Sequence, residues 1–164
     1  MKIHIIGCSG SGKTYLAKQL SEKLDIPHFD LDDIQWDNSI GGYGIKMPPE
    51  KRDSLLCGIL QNDNWIIEGV YYSWVGKAFE DADRIYVLDM PKHLYKFRII
   101  KRSIRRKLGF VKGKKETLKS VVDLLKWTDT FQNKNMPEIK RILEKYVDKV
   151  VWLKSIKEVN AVYK

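Results

Sequence analysis

The chain has 164 residues, a net charge of +9, 43% hydrophobic residues and two cysteines. That length buries a core without covalent staples, and Cys8 and Cys57, far apart and without CxxC or Cys/His spacing, exclude a disulfide framework and a zinc site. The apolar residues ahead of Gly7 are too few for a signal-peptide core and no later run approaches membrane-spanning length, so one soluble, cytoplasmic domain over residues 1–164 is expected.

In chain order, KIHII (2–6) reads as a buried strand ending at Gly7. From Thr14 the apolar positions Leu16, Ala17, Leu20 and Leu24 follow helical spacing until Pro27 bars continuation. HFDLDDI (28–34) is a second strand ending in acids, followed by an irregular glycine-rich span. Pro49 opens a helix whose stripe is Leu55, Leu56, Ile59 and Leu60. WIIEGV (65–70) and RIYVLDM (84–90) are the third and fourth strands. A long helix from Pro91 to about Leu108 is expected to turn Leu94, Phe97, Ile104 and Leu108 inward, and another carries Leu118, Val121, Val122 and Leu125 on one face. Pro137 starts a further helix, KVVWL (149–153) is the fifth strand, and Ser155 with Glu158 forms a capping box for a last short helix. Apolar strands alternating with helices imply a parallel sheet covered on both faces, a three-layer α/β fold of about five strands.

Gly7, Gly12, Lys13 and Thr14 fit GxxxxGK[ST] in full, after a strand and at the start of a helix. Glycines there let successive amides converge on phosphate oxygens, and the helix N-terminus adds its free donors and dipole. Gly7, Ser9, Gly10, Ser11, Gly12, Lys13, Thr14 and Tyr15 therefore form the candidate nucleotide-binding loop, with Lys13 reaching the β and γ phosphates and Thr14 holding Mg²⁺. Cys8 is a small filler. The nearest match to a guanine-reading NKxD is NKNM (133–136), with Met136 in place of the acid, and large motor ATPases need longer chains, which leaves the small P-loop kinases.

A kinase must place metal and acceptor in line with the γ-phosphate. Asp30 and Asp32 share one side of an extended chain, so one can serve the metal or take a hydroxyl proton while the other positions the acceptor; Asp33 reads as a helix cap or a solvent-facing acid. Glu68 closes an apolar strand, either as a metal and substrate contact, with Gly69 beside it, or in a structural salt bridge. Asp89 reads as a strand-end residue. Arg98, Arg102 and Arg105 lie on one stripe, and with the following KLGFVKGKKE they suggest a lid over about 92–119 that stabilises charge during transfer.

Between Lys92 and Lys119 stand twelve basic residues and one acid, leaving 18 basic and 20 acidic residues elsewhere. The positive excess thus sits in one segment, which points to a local anion-binding element.

These residues resemble the adenylate-kinase and shikimate-kinase type of P-loop proteins across nearly the whole chain: the loop Gly7 to Thr14, the DxD of Asp30 and Asp32, IIEG, and RIIKR in the lid helix. The resemblance implies the strand order 2-3-1-4-5, ATP and Mg²⁺ as cofactors, and Arg98 against the adenine with Arg102 on phosphates. GGYGIK, PPE and WIIEGVYYSW are similar to bacterial proteins labelled topology modulation proteins. EGVYY replaces the DGFPR of adenylate kinases, and the triple glycine of shikimate kinases is reduced to Gly69, so neither AMP nor shikimate follows as acceptor. Arg52, Trp36, Tyr43 and Tyr71 are candidate pocket residues. The expected activity is phosphoryl transfer from ATP to a small molecule; the rival is a nucleotide-dependent, DNA-associated protein using the basic segment, although no DNA-reading module is present. No membrane partner is expected, and the sequence sets no oligomeric state.

Overall fold

The computed structural model describes residues 1–37, 44–110 and 117–164. Tyr43 and part of the lid segment, residues 111–116, lie outside them. Five strands, β1 (Lys2–Gly7), β2 (His28–Asp30), β3 (Trp65–Gly69), β4 (Arg84–Leu88) and β5 (Val150–Leu153), form one parallel sheet in the order β2-β3-β1-β4-β5. β1 is central, with Ile5 in register with Glu68 on one side and Tyr86 on the other. Ile3, Ile5, Ile6, Ile66, Ile67, Ile85 and Val87 are fully buried, as a strand covered on both faces requires. The helices α1 (Lys13–Leu24), α2 (Asp32–Gln35), α3 (Pro49–Leu60), α4 (Gly76–Asp81), α5 (Lys92–Lys107), α6 (Leu118–Thr130), α7 (Met136–Leu143) and α8 (Ile156–Tyr163) flank the sheet.

Three elements depart from the sequence reading. The second strand stops at Asp30, because the Asp30 carboxylate accepts the Asp32 amide (2.9 Å) and turns the chain into α2. Pro137 does not start a separate helix: α6 runs through a π-helical turn, Phe131–Asn135, into α7, with the Met136 amide donating to the Phe131 carbonyl. The wider turn keeps Phe131, Met136 and Ile139 all buried.

The third departure concerns α5, which is turned the other way. Tyr95 and Ile99 are its buried residues, and Tyr95 ties the helix down by donating to the Leu88 carbonyl (3.1 Å) and accepting from the Met90 amide (2.6 Å). Phe97, Ile104 and Leu108, expected inward, are 61%, 53% and 63% exposed. Leu94 alone of that set packs against the core. Most of the apolar stripe faces outward, and Arg98, Arg102 and Arg106 lie on the opposite side, along a cleft beside the loop that follows β1.

Candidate active site

The loop between β1 and α1 is shaped by its glycines. Gly10 and Gly12 have φ of +79° and +103°, the left-handed region that residues with a Cβ seldom enter. A Cβ on Gly10 would also meet the Tyr95 carbonyl at 2.8 Å, so α5 packs directly on the loop. Gly7, at the strand end, would press a Cβ to 2.9 Å from the Leu88 carbonyl; its part is to let β4 approach. Cys8 is buried and burial raises its thiol to about 11, so it stays protonated, as a filler does.

Lys13 and Thr14, the first residues of α1, converge on one carboxylate. Thr14 Oγ1 donates to Glu68 Oε1 (2.5 Å), while Lys13 Nζ lies 3.9 Å from Glu68 Oε2 and donates to the Cys8 carbonyl (3.2 Å). Glu68 is only 2% exposed, and it ends β3 beside Asp30 of β2. Burial first, and then the neighbouring Glu68, push the Asp30 carboxyl up to about 6. Asp32 accepts a hydrogen bond from the Tyr71 hydroxyl (2.5 Å), whose own pKa is raised chiefly by burial and then by that bond. Of the two alternatives for Glu68 the ion pair is present, with Lys13, and the carboxylate also lines a cleft.

That cleft, about 1480 Å³, is lined at one end by Ser9, Gly10, Gly12, Lys13, Thr14 and Arg98, and at the other by Asp32, Trp36, Arg52, Tyr71 and Trp74. Arg98 donates to the carbonyls of Ser11 (2.6 Å) and Gly10 (3.4 Å), fastening α5 to the loop. Arg102 also lines the cleft. Arg105 does not: it is exposed on the outward face, and Arg106 takes the position facing the cleft. Steps of three and four both continue a helical stripe, and the burial of Tyr95 and Ile99 selects 98, 102 and 106. A second pocket of about 350 Å³ beside the loop is lined by Ser11, Gly12, Tyr15, Met90, Arg98, Ile156, Val159 and Asn160.

Arg52 reaches the cleft with its guanidinium 4.5 Å over the Trp74 ring and 2.6 Å from Asp53. Gly69 also lines it, but a Cβ there would meet Leu31 at 2.9 Å, so the glycine serves close packing of β3 against Leu31. Sequence reasoning missed Trp74, Arg106, Asp37, Lys46 and Trp127 as lining residues. The i, i+4 step from Arg102 was the available signal for Arg106; the others arrive from loops and a helix far away in sequence. Asp33 does not cap α2, whose N-cap is Leu31 with no side-chain cap; it sits exposed in the first turn and lines the cleft, while Asp89 is held by Lys140 at 3.3 Å, a structural ion pair.

The oxygen donors at Thr14, Glu68 and Asp30 suit a hard divalent cation such as Mg²⁺, which takes one or two carboxylates and fills its shell with phosphate oxygens and water. Among the described residues no group of three or more His, Cys, Asp or Glu is placed to hold a metal by itself.

The fold matches two solved kinases. A gluconokinase from Sinorhizobium meliloti 1021 is 15% identical, with 99% of this chain and 86% of that one covered and a TM-score of 0.55. Shikimate kinase from Bacteroides thetaiotaomicron is 16% identical, with 99% and 94% covered and a TM-score of 0.50. The five-stranded parallel sheet in the order 2-3-1-4-5 is the P-loop kinase fold. In sequence, the chain is 26% identical over 145 residues to the uncharacterized protein YqaC of Bacillus subtilis (strain 168), covering 88% of this chain and 80% of that protein. No protein-family model matches the chain.

Proposed function

We propose that the chain is an ATP- and Mg²⁺-dependent phosphotransferase acting on a small hydroxyl-bearing acceptor. The observation that carries this is the meeting of Lys13 and Thr14 with Glu68 in a cleft that is also lined by Asp30, beside Glu68, and by Asp32. The loop amides and Lys13 would bind the phosphates, and Tyr15, Arg98 and Asn160 in the adjoining pocket would bound the base. Thr14, Glu68 and Asp30 would hold Mg²⁺, which would offset the negative charge of the phosphates. Asp32, oriented by Tyr71, or Asp30 receives the acceptor's hydroxyl proton. Arg102 and Arg106 supply positive charge for the phosphoryl group in flight.

The DNA-associated reading drew on the basic segment. Three of its arginines line the cleft, so much of that charge has a use within the molecule. Among the described residues no helix is long and apolar enough to cross a membrane.

The test is a transfer assay with γ-labelled ATP, Mg²⁺ and a pooled extract of small metabolites. Label should enter a small-molecule product with wild type and vanish with Lys13→Ala. A Lys13→Ala protein that transfers label like wild type would contradict the reading.

A further inference from the structure

The two ends of the cleft carry opposite charge. At the loop end stand Lys13, Arg98, Arg102 and Arg106 with Glu68 paired to Lys13, an excess of positive charge suited to a triphosphate. At the far end the described lining residues include Asp32, Asp33 and Asp37 against Lys46 and Arg52, while Asp30 stands beside Glu68 nearer the loop. Arg52 is already engaged: its Nη2 and Nε lie 2.6 and 2.8 Å from Asp53 Oδ1, and its face rests on Trp74. Lys46 is exposed to solvent. Residues 38–43, NSIGGY, lie outside the described residues and contain no Asp, Glu, Lys or Arg.

Hydrogen-bonding capacity has the same polarity. A carboxylate is acceptor-only, so Asp32 and Asp30 offer lone pairs to O–H or N–H groups of a ligand. The Tyr71 hydroxyl is spent on Asp32, and the Asp32 amide on Asp30. A carboxylate or phosphate entering this end would meet like charge, against which Gln35, Ser73, Trp36 and Trp74 offer only neutral donors, and like-charge juxtaposition is a strong means of rejecting a ligand. Between the acids lie the half-buried rings of Trp36, Tyr71 and Trp74, with Tyr71 and Trp74 centroids 5.2 Å apart, a surface for a flat or apolar face.

Resting on the phosphotransferase reading, we propose that the acceptor is a neutral or amine-bearing alcohol with a planar or apolar face, and that the cleft rejects hydroxy acids and phosphate esters. In the transfer, the acceptor oxygen forms a bond to the γ-phosphorus as the bond from that phosphorus to the β,γ-bridging oxygen breaks. ADP leaves with the electron pair, and the hydroxyl proton passes to Asp30 or Asp32 and on to water.

The experiment offers γ-labelled ATP and Mg²⁺ with matched acceptors that differ in charge at one position: glucose, glucosamine and gluconate; glycerol and glycerate; each nucleoside with its monophosphate. ATP binding is followed separately with a fluorescent ATP analogue on wild type and Lys13→Ala. Label should enter neutral or amine-bearing members, with kcat/KM at least about 100-fold above that of their anionic partners. Asp33→Lys, an exposed change on the same wall, should lower the ratio of amine to neutral acceptor turnover. Preferential labelling of acids or phosphate esters, or a ratio that Asp33→Lys leaves unchanged, overturns the charge assignment and leaves the phosphotransferase reading standing. Lysine-dependent ATP binding with no label in any member overturns the transfer reading, and this proposal with it.

Discussion

The loop-and-sheet region and the α5–α6 hairpin use apolar residues in opposite ways. In the sheet, Ile3, Ile5 and Ile6 face the interior and the chain's periodicity states the packing directly. In α5, two residues, Tyr95 and Ile99, hold the helix against the phosphate-binding loop, while Phe97, Ile104 and Leu108 look outward and Arg98, Arg102 and Arg106 look in. An amphipathic pattern gives the faces of a helix but not which one meets the protein; here the charged face has the stronger claim because it borders an anion-binding loop.

The first prediction to sharpen this contrast is large. Leu16→Ala, in the helix beneath the loop, should cost about 2–5 kcal/mol in denaturant unfolding, whereas Phe97→Ser and Ile104→Ser should each stay within about 0.5 kcal/mol. Equal costs in the two regions would mean that α5 is turned as its apolar pattern suggests. Lys13→Ala should reduce phosphoryl transfer by about 10²–10³-fold at unchanged stability.

Acid should expose a further asymmetry within the sheet. His4 is fully buried on β1 with its ring 4.6 Å from Phe79, and neither ring nitrogen has a hydrogen-bond partner among the described residues. Burial lowers its pKa from 6.5 to about 3. The unfolded chain therefore binds the extra proton between those values, so the stability is complete above pH 6.5 and is lost as pH falls toward 3. The loss is on the order of a few kcal/mol and should disappear in His4→Leu, measured by urea unfolding across pH.

Smaller effects separate the faces of α5. Arg98→Ala, losing two bonds to loop carbonyls, should weaken ATP binding by about 10-fold or more. Arg105→Ala, on the outward face, should change it less than about twofold.

Much of the fold was legible in the sequence because its signals are local. A β-branched run before Gly7, the GxxxxGK[ST] spacing and the acids ending two strands each identify an element and the part of it that bears chemistry. The Thr14–Glu68 contact was half legible: both residues stood out, but only the parallel register of β1 with β3 brings them together. Arg106 in place of Arg105, the Arg52–Trp74 stack and the end of β2 at Asp30 depend on tertiary contacts and turn geometry, which periodicity does not encode.

Equilibrium binding of ATP measured by calorimetry, with Mg²⁺ and with a chelator, on wild type and Thr14→Ala tests the central claim most directly. The account predicts that wild type binds ATP more tightly with Mg²⁺ and that Thr14→Ala loses most of that gain while still binding free ATP. Binding indifferent to Mg²⁺, or a gain that survives Thr14→Ala intact, would contradict a site built on Lys13, Thr14 and Glu68.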